Sequence, residues 1–420
     1  MVERRKPIPV GEAVDRVMQY GKQGETEVIP LESCDNRRLA EPIIAKHPVP
    51  PFDKSPYDGF ALRSIDTKEG SRNHPLELEV VEHIGAGQVP SKALEPGQAT
   101  RIMTGAKIPN GADCVAMFEV CQTYEANGKN FMSIKRKLNA GTNIISQGSE
   151  VAEKEIMVEA GTMINPGVKA LLATFGYSSI KVVKKPVVGV IATGTELLDV
   201  DEELRPGKIR NSNAYMIMSQ IKRAGGECRY FGKLADEFDS SYETIAKALD
   251  QVDMLITTGG VSVGDFDLMP AIYEKLGADV LFNKIAMRPG SVTTVAVHDG
   301  RILYGLSGNP SACYVGFELY TRPIVQQYLG NTKPYLKRVT ATLQEDFPKP
   351  NPFTRFVRSY LTYEDSIFGV KPAGMDKSNV VSSLAFTNAL MVLPGGTRGY
   401  TAGTAVDVLL LNDTEGQADF

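Results

Sequence analysis

The chain has 420 residues, 42% hydrophobic and 23% charged, which at about 100 to 200 residues per domain predicts roughly two to four domains with a sizeable core. A formal net charge of −4 gives no polyanion-binding signal and argues against a nucleic-acid partner. The N-terminal stretch has basic residues but no apolar h-region, and no run approaches about 18 apolar residues, so a cytoplasmic protein with no membrane partner is expected. Five cysteines (Cys34, Cys114, Cys121, Cys228, Cys313) form no C-x-x-C pair, and the histidines (His47, His74, His83, His298) show no ligand spacing. Disulfides, zinc and catalytic histidine chemistry therefore have little support.

In chain order, a helix is expected over 10–20 and an extended piece over 27–30. HPVPPFDKSPYDGFALR follows, where four prolines and Gly59 fix an extended path into a tight turn at Asp58. Alone, that aspartate reads as a turn residue satisfying backbone. Short alternating runs between glycine and proline signals, from LELEVVEHI at 76 to NFMSIKRKL near 138, predict a small β domain, barrel or sandwich. RIMTGAKIPNGAD sets Thr104 at a strand end, facing a loop. Pro166 opens a helix that Gly176 stops.

From 186 to about 330 the pattern changes to alternating strands and helices: VVGVIAT, SNAYMIMSQIKRAGG, ECRYFGKL, SSYETIAKALDQ, VDMLITT and onward. A capping box from Ser240 to Glu243 is expected to start the fourth of these. Such alternation predicts a doubly wound, mostly parallel sheet with helices on both faces, and ligands in such sheets bind beyond the carboxyl ends of the strands. Those ends carry Gly194 and Glu196 in TGTELL, Asp236 in LADEFDS, and Gly259, Gly260, Ser262, Asp265 and Asp267 in TTGGVSVGDFD. They also carry Ser307, Gly308 and Asn309 in GLSGNPSA. Glycine amides approach an anion closely, and carboxylates supply hard oxygen ligands for a divalent cation. Lys284 and Arg288 in NKIAMRPGS suit a phosphate or other oxyanion. No turn is a Walker A sequence, and TGTELL does not fit G-x-G-x-x-G. The tail from about 337 repeats strand patterns between PGG and AGT turns, a small barrel.

PYDGFA, RIMTGAKIPNGAD, ATGTELL, TTGGVSVGDFD and GLSGNPSA, in that order over about 5–412, resemble the molybdopterin molybdenumtransferases, the family of the gephyrin E domain. The resemblance implies insertion of molybdate into adenylylated molybdopterin with release of AMP and a need for Mg²⁺. It also implies an elongated homodimer whose active site is shared between chains, supplied by an upstream molybdopterin adenylyltransferase. By position, Asp58, Thr104, Glu196, Asp267 and Lys284 match family catalytic residues. Asp236 and Pro310 match further active-site positions. Asp236, Asp267 and Glu196 are expected to hold the metal, and Gly194, Gly259, Gly260, Ser262, Arg288, Ser307, Gly308 and Asn309, read from the strand ends and the adjoining loop, are expected with Pro310 to bind the cofactor. The implied domains are 1–48 with 143–177, 49–142, 178–330 and 331–420. Ser307 stands where the family commonly has Pro, Arg288 where Lys is frequent, and Asp265 and Glu150 where Glu and Asp are usual. SNVVSSLAFTN at 378–388 is similar to a serine-bearing stretch of the family and reads as a polar loop. An adenylyltransferase or a competence-type pyrophosphatase would share the sheet motifs but lack PYDGFA or the flanking β domains. A gephyrin-type scaffold role and a tungstate-specific version of the transferase are the remaining alternatives.

Overall fold

The computed structural model describes residues 6–234, 237–260, 268–412 and 416–420. The chain forms two compact units, Met1–Glu41 with Ala160–Lys169 and Ser179–Phe420, and Pro42–Glu159 with Ala170–Ser178.

The first unit is built on a six-stranded sheet in the order Glu227–Lys233, Val187–Ala192, Met254–Thr258, Arg301–Leu306, Thr294–His298, Asp279–Phe282. The first three pairings are parallel and the last two antiparallel. Met254–Thr258 is buried at every position, as a strand covered on both faces must be, and this explains its continuous apolar and β-branched run. One face is covered by Val10–Met18, Ser212–Arg223 and the helical segment that starts at Pro310, around Ile217, Phe317, Tyr320 and Val325. The other is covered by Phe238–Leu249 and Met269–Leu276, around Ile245, Leu249 and Ile272. The expected doubly wound sheet is thus present, with an antiparallel edge. Thr294–His298 and Arg301–Leu306 join through Asp299 and Gly300, both at positive φ (48° and 72°), as a tight primed hairpin turn requires.

Two local expectations change. The helix expected to start at Ser240 begins at Phe238, because the Glu237 side chain accepts the Ser240 N–H at 3.1 Å and takes the N-cap. Ser240 and Glu243 therefore lie inside the helix and form no capping box. The last helix of the unit is continuous in path but passes through a π segment at Phe317–Thr321, between Pro310–Gly316 and Arg322–Tyr328. Glu318 on that segment is fully buried and is held by Gln220, at 2.6 Å, and by Arg223.

The tail forms a closed barrel. Thr354–Glu364, Ile367–Pro372, Arg338–Leu343, Ala405–Leu410 and Ala389–Leu393 pair in that order, and Ala389–Leu393 returns to Thr354–Glu364. Its interior is Leu343, Val357, Val370, Met391 and Val408. Closure leaves these strands without a free edge.

The second unit holds an open six-stranded sheet, Cys114–Met117, Gly59–Leu62, Gln98–Ile102, Leu76–Ile84, Lys129–Ile134, Cys121–Ala126. Phe60, Leu62, Met132 and Ile134 fill its core. Among the described residues no helix is long and apolar enough to cross a membrane.

Candidate active site

Three neighbouring parallel strands of the central sheet end level with one another. Ala192 is in register with Thr258, and Thr258 with Leu306. The next residues therefore leave the sheet side by side: Thr193 and Gly194, Gly259 and Gly260, Ser307 and Gly308. Hydrogen bonds continue past the strands, Thr193 N–H to the Thr258 carbonyl at 3.0 Å and Gly259 N–H to the Leu306 carbonyl at 2.8 Å. The fourth strand joins the same edge, with Leu234 N–H donating to the Ala192 carbonyl at 2.9 Å. Asp236 follows two residues later and lies outside the described residues, as do Ser262, Asp265 and Asp267.

The glycines here answer to particular atoms. Gly259 has φ 93°, and a Cβ there would meet the Thr193 carbonyl oxygen at 2.7 Å and its Oγ1 at 2.8 Å. Gly194 has φ 138°, and its Cβ would fall 2.5 Å from a Glu196 carboxylate oxygen, so that carboxylate lies back over the glycine. Glu196 is further fixed through its carbonyl, which accepts from Ile209 N–H at 2.9 Å. Lys208 Nζ donates to the Thr195 carbonyl at 2.6 Å.

Lys284 and Arg288 reach the same edge by a different route. The strand Asp279–Phe282 is antiparallel to Thr294–His298, itself antiparallel to Arg301–Leu306; two reversals bring its carboxyl end to the carboxyl end of the parallel strands. In the loop that follows, Ile285 and Met287 are fully buried while Lys284 is half-buried and Arg288 exposed. The alternation anchors the apolar residues and turns the cations out. The loop is tied on two sides. Ile8 donates to the Lys284 carbonyl at 3.1 Å and accepts from Ala286 N–H at 2.8 Å, and Met287–Arg288 pairs in parallel with Thr354 and Arg355 of the barrel.

Several residues at this edge were not singled out in the sequence. Asn211 caps the helix Ser212–Arg223 by accepting from Ala214 N–H, and Asn213 Nδ2 donates to the Gly308 carbonyl at 2.8 Å. From the barrel, the Ser378 carbonyl accepts from Ser311 N–H at 3.0 Å, and the Val380 carbonyl from Ser311 Oγ at 2.6 Å. The loop that carries these carbonyls is anchored in turn by Arg358, which donates to Ser383 Oγ at 2.9 Å and to the Met375 and Lys377 carbonyls. Burial pulls the Arg358 guanidinium below its usual range, partly offset by Asp376, and among the described residues its NH1 has no hydrogen-bond partner. A guanidinium in a strand reads as a surface residue; Arg358 is on the face opposite the barrel interior, and the loop over 375–383 folded across that face is what buries it.

In the second unit Asp58 and Thr104 form one cluster. Asp58 Oδ1 accepts from both the Thr104 N–H at 2.7 Å and its hydroxyl at 2.8 Å. These bonds, the backbone one first, hold the exposed Asp58 carboxyl below its usual value of 3.8. The two motifs PYDGFA and RIMTG are thus joined by side-chain contact. The same unit has a cleft of about 520 Å³ lined by Phe60, His83, Arg101, Tyr124 and Phe131 among others.

For a divalent cation, Glu196 offers the hard oxygen chemistry required, while Asp236 and Asp267 lie outside the described residues. Among the described residues no three His, Cys, Asp or Glu side chains converge as a metal cluster.

Comparison with known proteins agrees along the whole chain. Family models match as the MoeA N-terminal region (domain I and II) over 8–176, the probable molybdopterin binding domain over 189–327, and the MoeA C-terminal region (domain IV) over 340–411. The chain is 58% identical to a molybdopterin molybdenumtransferase of Bacillus subtilis, covering 99% of this chain and 97% of the relative. It is 48% identical to one of Staphylococcus aureus, covering 98% and 97%. A crystal structure of a molybdopterin biosynthesis MoeA protein from Pyrococcus horikoshii superposes with a TM-score of 0.85 at 29% identity, covering 96% of this chain and 99% of that one. With motifs, fold and full-length similarity in agreement, the chain belongs to the molybdopterin molybdenumtransferase (MoeA) family.

Proposed function

We propose that this chain inserts molybdate into adenylylated molybdopterin at the carboxyl edge of its central sheet, releasing AMP. The observation that carries the reading is the level ending of three parallel strands in glycine turns, with two cations turned out of the adjoining loop. Amides of the turns at Gly194, Gly259 and Gly260 and at Gly308–Asn309, with the hydroxyls of Ser262 and Ser307, hold the phosphate of the pterin substrate. Pro310 closes the last turn and starts the helix behind it. Lys284 and Arg288 attract molybdate, a substrate oxyanion, and the buried Arg358 adds positive charge behind the barrel loop. Asp236, Asp267 and Glu196 would hold Mg²⁺. When bound, that ion supplies Lewis-acid and charge-clamping chemistry for cleavage of the phosphoanhydride. Asp58, kept ionised by Thr104, orients a water or an oxyanion in a site shared between two copies of the chain. We further assign the domains as 1–48 with 143–177, 49–142, 178–330 and 331–420. A molybdopterin adenylyltransferase is the chemistry that must precede this step, and the cytoplasm is the compartment where both work.

AMP release from adenylylated molybdopterin, measured with and without molybdate and Mg²⁺ while active cofactor is followed in parallel, tests the reading. Release that requires both additions and matches cofactor formation is expected. Binding without turnover would instead support a scaffold role. Wild-type release by Asp267→Ala or Asp58→Ala, with folding intact, would remove those residues from the site. Partial recovery on mixing the two variants is the outcome expected of a shared site.

A further inference from the structure

Among the contacts at the sheet edge, one fixes a single peptide plane from both ends. The peptide between Gly308 and Asn309 offers its carbonyl to Asn213 Nδ2 at 2.8 Å and its N–H to Ser307 Oγ at 3.2 Å. Because the peptide is planar and trans, fixing both ends fixes its orientation. Asn213 is 9% exposed and sits in the first turn of Ser212–Arg223, so the carbonyl it holds faces buried side chain. The turn so held lies beside another of the converging turns, since a Cβ on Gly308 would sit 3.7 Å from Gly259 Cα. Among the described residues, Asn213 Oδ1, on the same amide, is buried and has no hydrogen-bond partner. A buried acceptor left unpaired costs stability, so the amide is placed for its donor, which has a partner, and not for its acceptor.

We propose that Asn213 is a positioning residue for the substrate phosphate: it keeps the Gly308 carbonyl turned inward, so that an anion at the turn meets amide and hydroxyl donors and no carbonyl oxygen. Ser307 is its partner in this. With one lone pair taken by Asn309 N–H, the Ser307 hydroxyl keeps its proton for the ligand. Without Asn213 the peptide is free to rotate, and an outward carbonyl dipole would oppose the phosphate. The inference rests on the proposed transferase reading, because it concerns the phosphate of that substrate.

The test compares wild type, Asn213→Ala and Asn213→Asp, with thermal midpoints recorded for each. For Asn213→Ala, KM and the equilibrium dissociation constant for adenylylated molybdopterin are both expected to rise about tenfold, with kcat changed less than about twofold, the size of one lost polar contact. Asn213→Asp supplies the reading that a packing role would not move. A protonated carboxyl donates to the Gly308 carbonyl, and an ionised one repels it; burial raises its pKa. The kcat/KM of Asn213→Asp relative to wild type should therefore fall as pH rises from 6 to 9, while the Asn213→Ala ratio stays level. An unchanged dissociation constant in Asn213→Ala, or a level ratio for Asn213→Asp, overturns the proposal. Should Asn213→Ala fail to fold, the pH series of Asn213→Asp decides alone. A wild type that binds substrate without releasing AMP would defeat the transferase reading, and the dissociation constants would still decide the role of Asn213.

Discussion

The strand-end edge of the first unit and the Asp58 turn of the second hold their functional groups by opposite means. At the edge, position comes from the backbone: three strands end in register, and the turns beyond them depend on glycines whose missing Cβ leaves room for a neighbour's main chain. At Asp58, position comes from a side chain that gathers two donors from Thr104, forty-odd residues on. The first kind of site is sensitive to added bulk and tolerant of polar exchange. The second is sensitive to lost charge and tolerant of bulk.

The sharpest way to break this contrast is Gly259→Ala. A positive φ costs a non-glycine residue about 1–2 kcal/mol, and here the new methyl also meets the Thr193 carbonyl at 2.7 Å. AMP release should fall by about a hundredfold or more, since displacement of a turn by about 1 Å has effects of that order. Near-normal turnover would show that the backbone of this edge is not what positions the substrate. Asp58→Asn, which keeps the shape and both acceptor contacts through Oδ1 but removes the charge, is expected to lose about ten- to a hundredfold in kcat/KM, with an unchanged melting temperature. A loss equal to that of Asp58→Ala would assign the effect to charge, and full activity would make Asp58 a turn residue after all.

Thr104→Val separates the two bonds on Asp58. The backbone N–H, the larger cause, remains, and the hydroxyl goes. A carboxyl-detected NMR titration should find the Asp58 pKa moved upward yet still below 3.8. The depressed pKa means the charge is present throughout the neutral range and is lost only as pH falls through the folded value, so Asp58 should contribute no limb to a pH–rate profile between about 5 and 8. The smallest effect is expected for Gly308→Ala, whose φ is not positive and whose Cβ would make only an ordinary 3.7 Å contact. Its melting temperature should stay within about two degrees of wild type, which leaves any change in substrate affinity to the ligand side of the turn.

How far these features could be read from the sequence depends on the range of the interactions that make them. Met254–Thr258 and Leu76–Ile84 occur where VDMLITT and LELEVVEHI place them, because a buried strand and an alternating one carry their own pattern. The glycine turns were legible for the same reason: two adjacent glycines after a β-branched run stop a strand whatever surrounds it. The start of Phe238–Leu249 was misread because two residues competed to cap it, and Glu237 reaches Ser240 N–H first. Asn213 was invisible as a positioning group, since an asparagine in a first helical turn resembles a cap and its partner Gly308 lies far along the chain. Arg358 carries no signal of burial in the sequence, because the loop that covers it, through Met375, Lys377 and Ser383, is distant in the chain and meets it only once folded.

The tie between Ile8 and the loop of Lys284 has a consequence for how the molecule comes into being. Its partners are separated by more than half of the chain, and contacts of such separation form late. On the ribosome, Ile8 emerges early and has to remain unclaimed until residues near 285 have been synthesised. The cation-bearing loop acquires its shape from both ends of that interval, so a fusion partner or a protease acting near Ile8 would disturb the capture of an oxyanion while most of the sheet stayed folded.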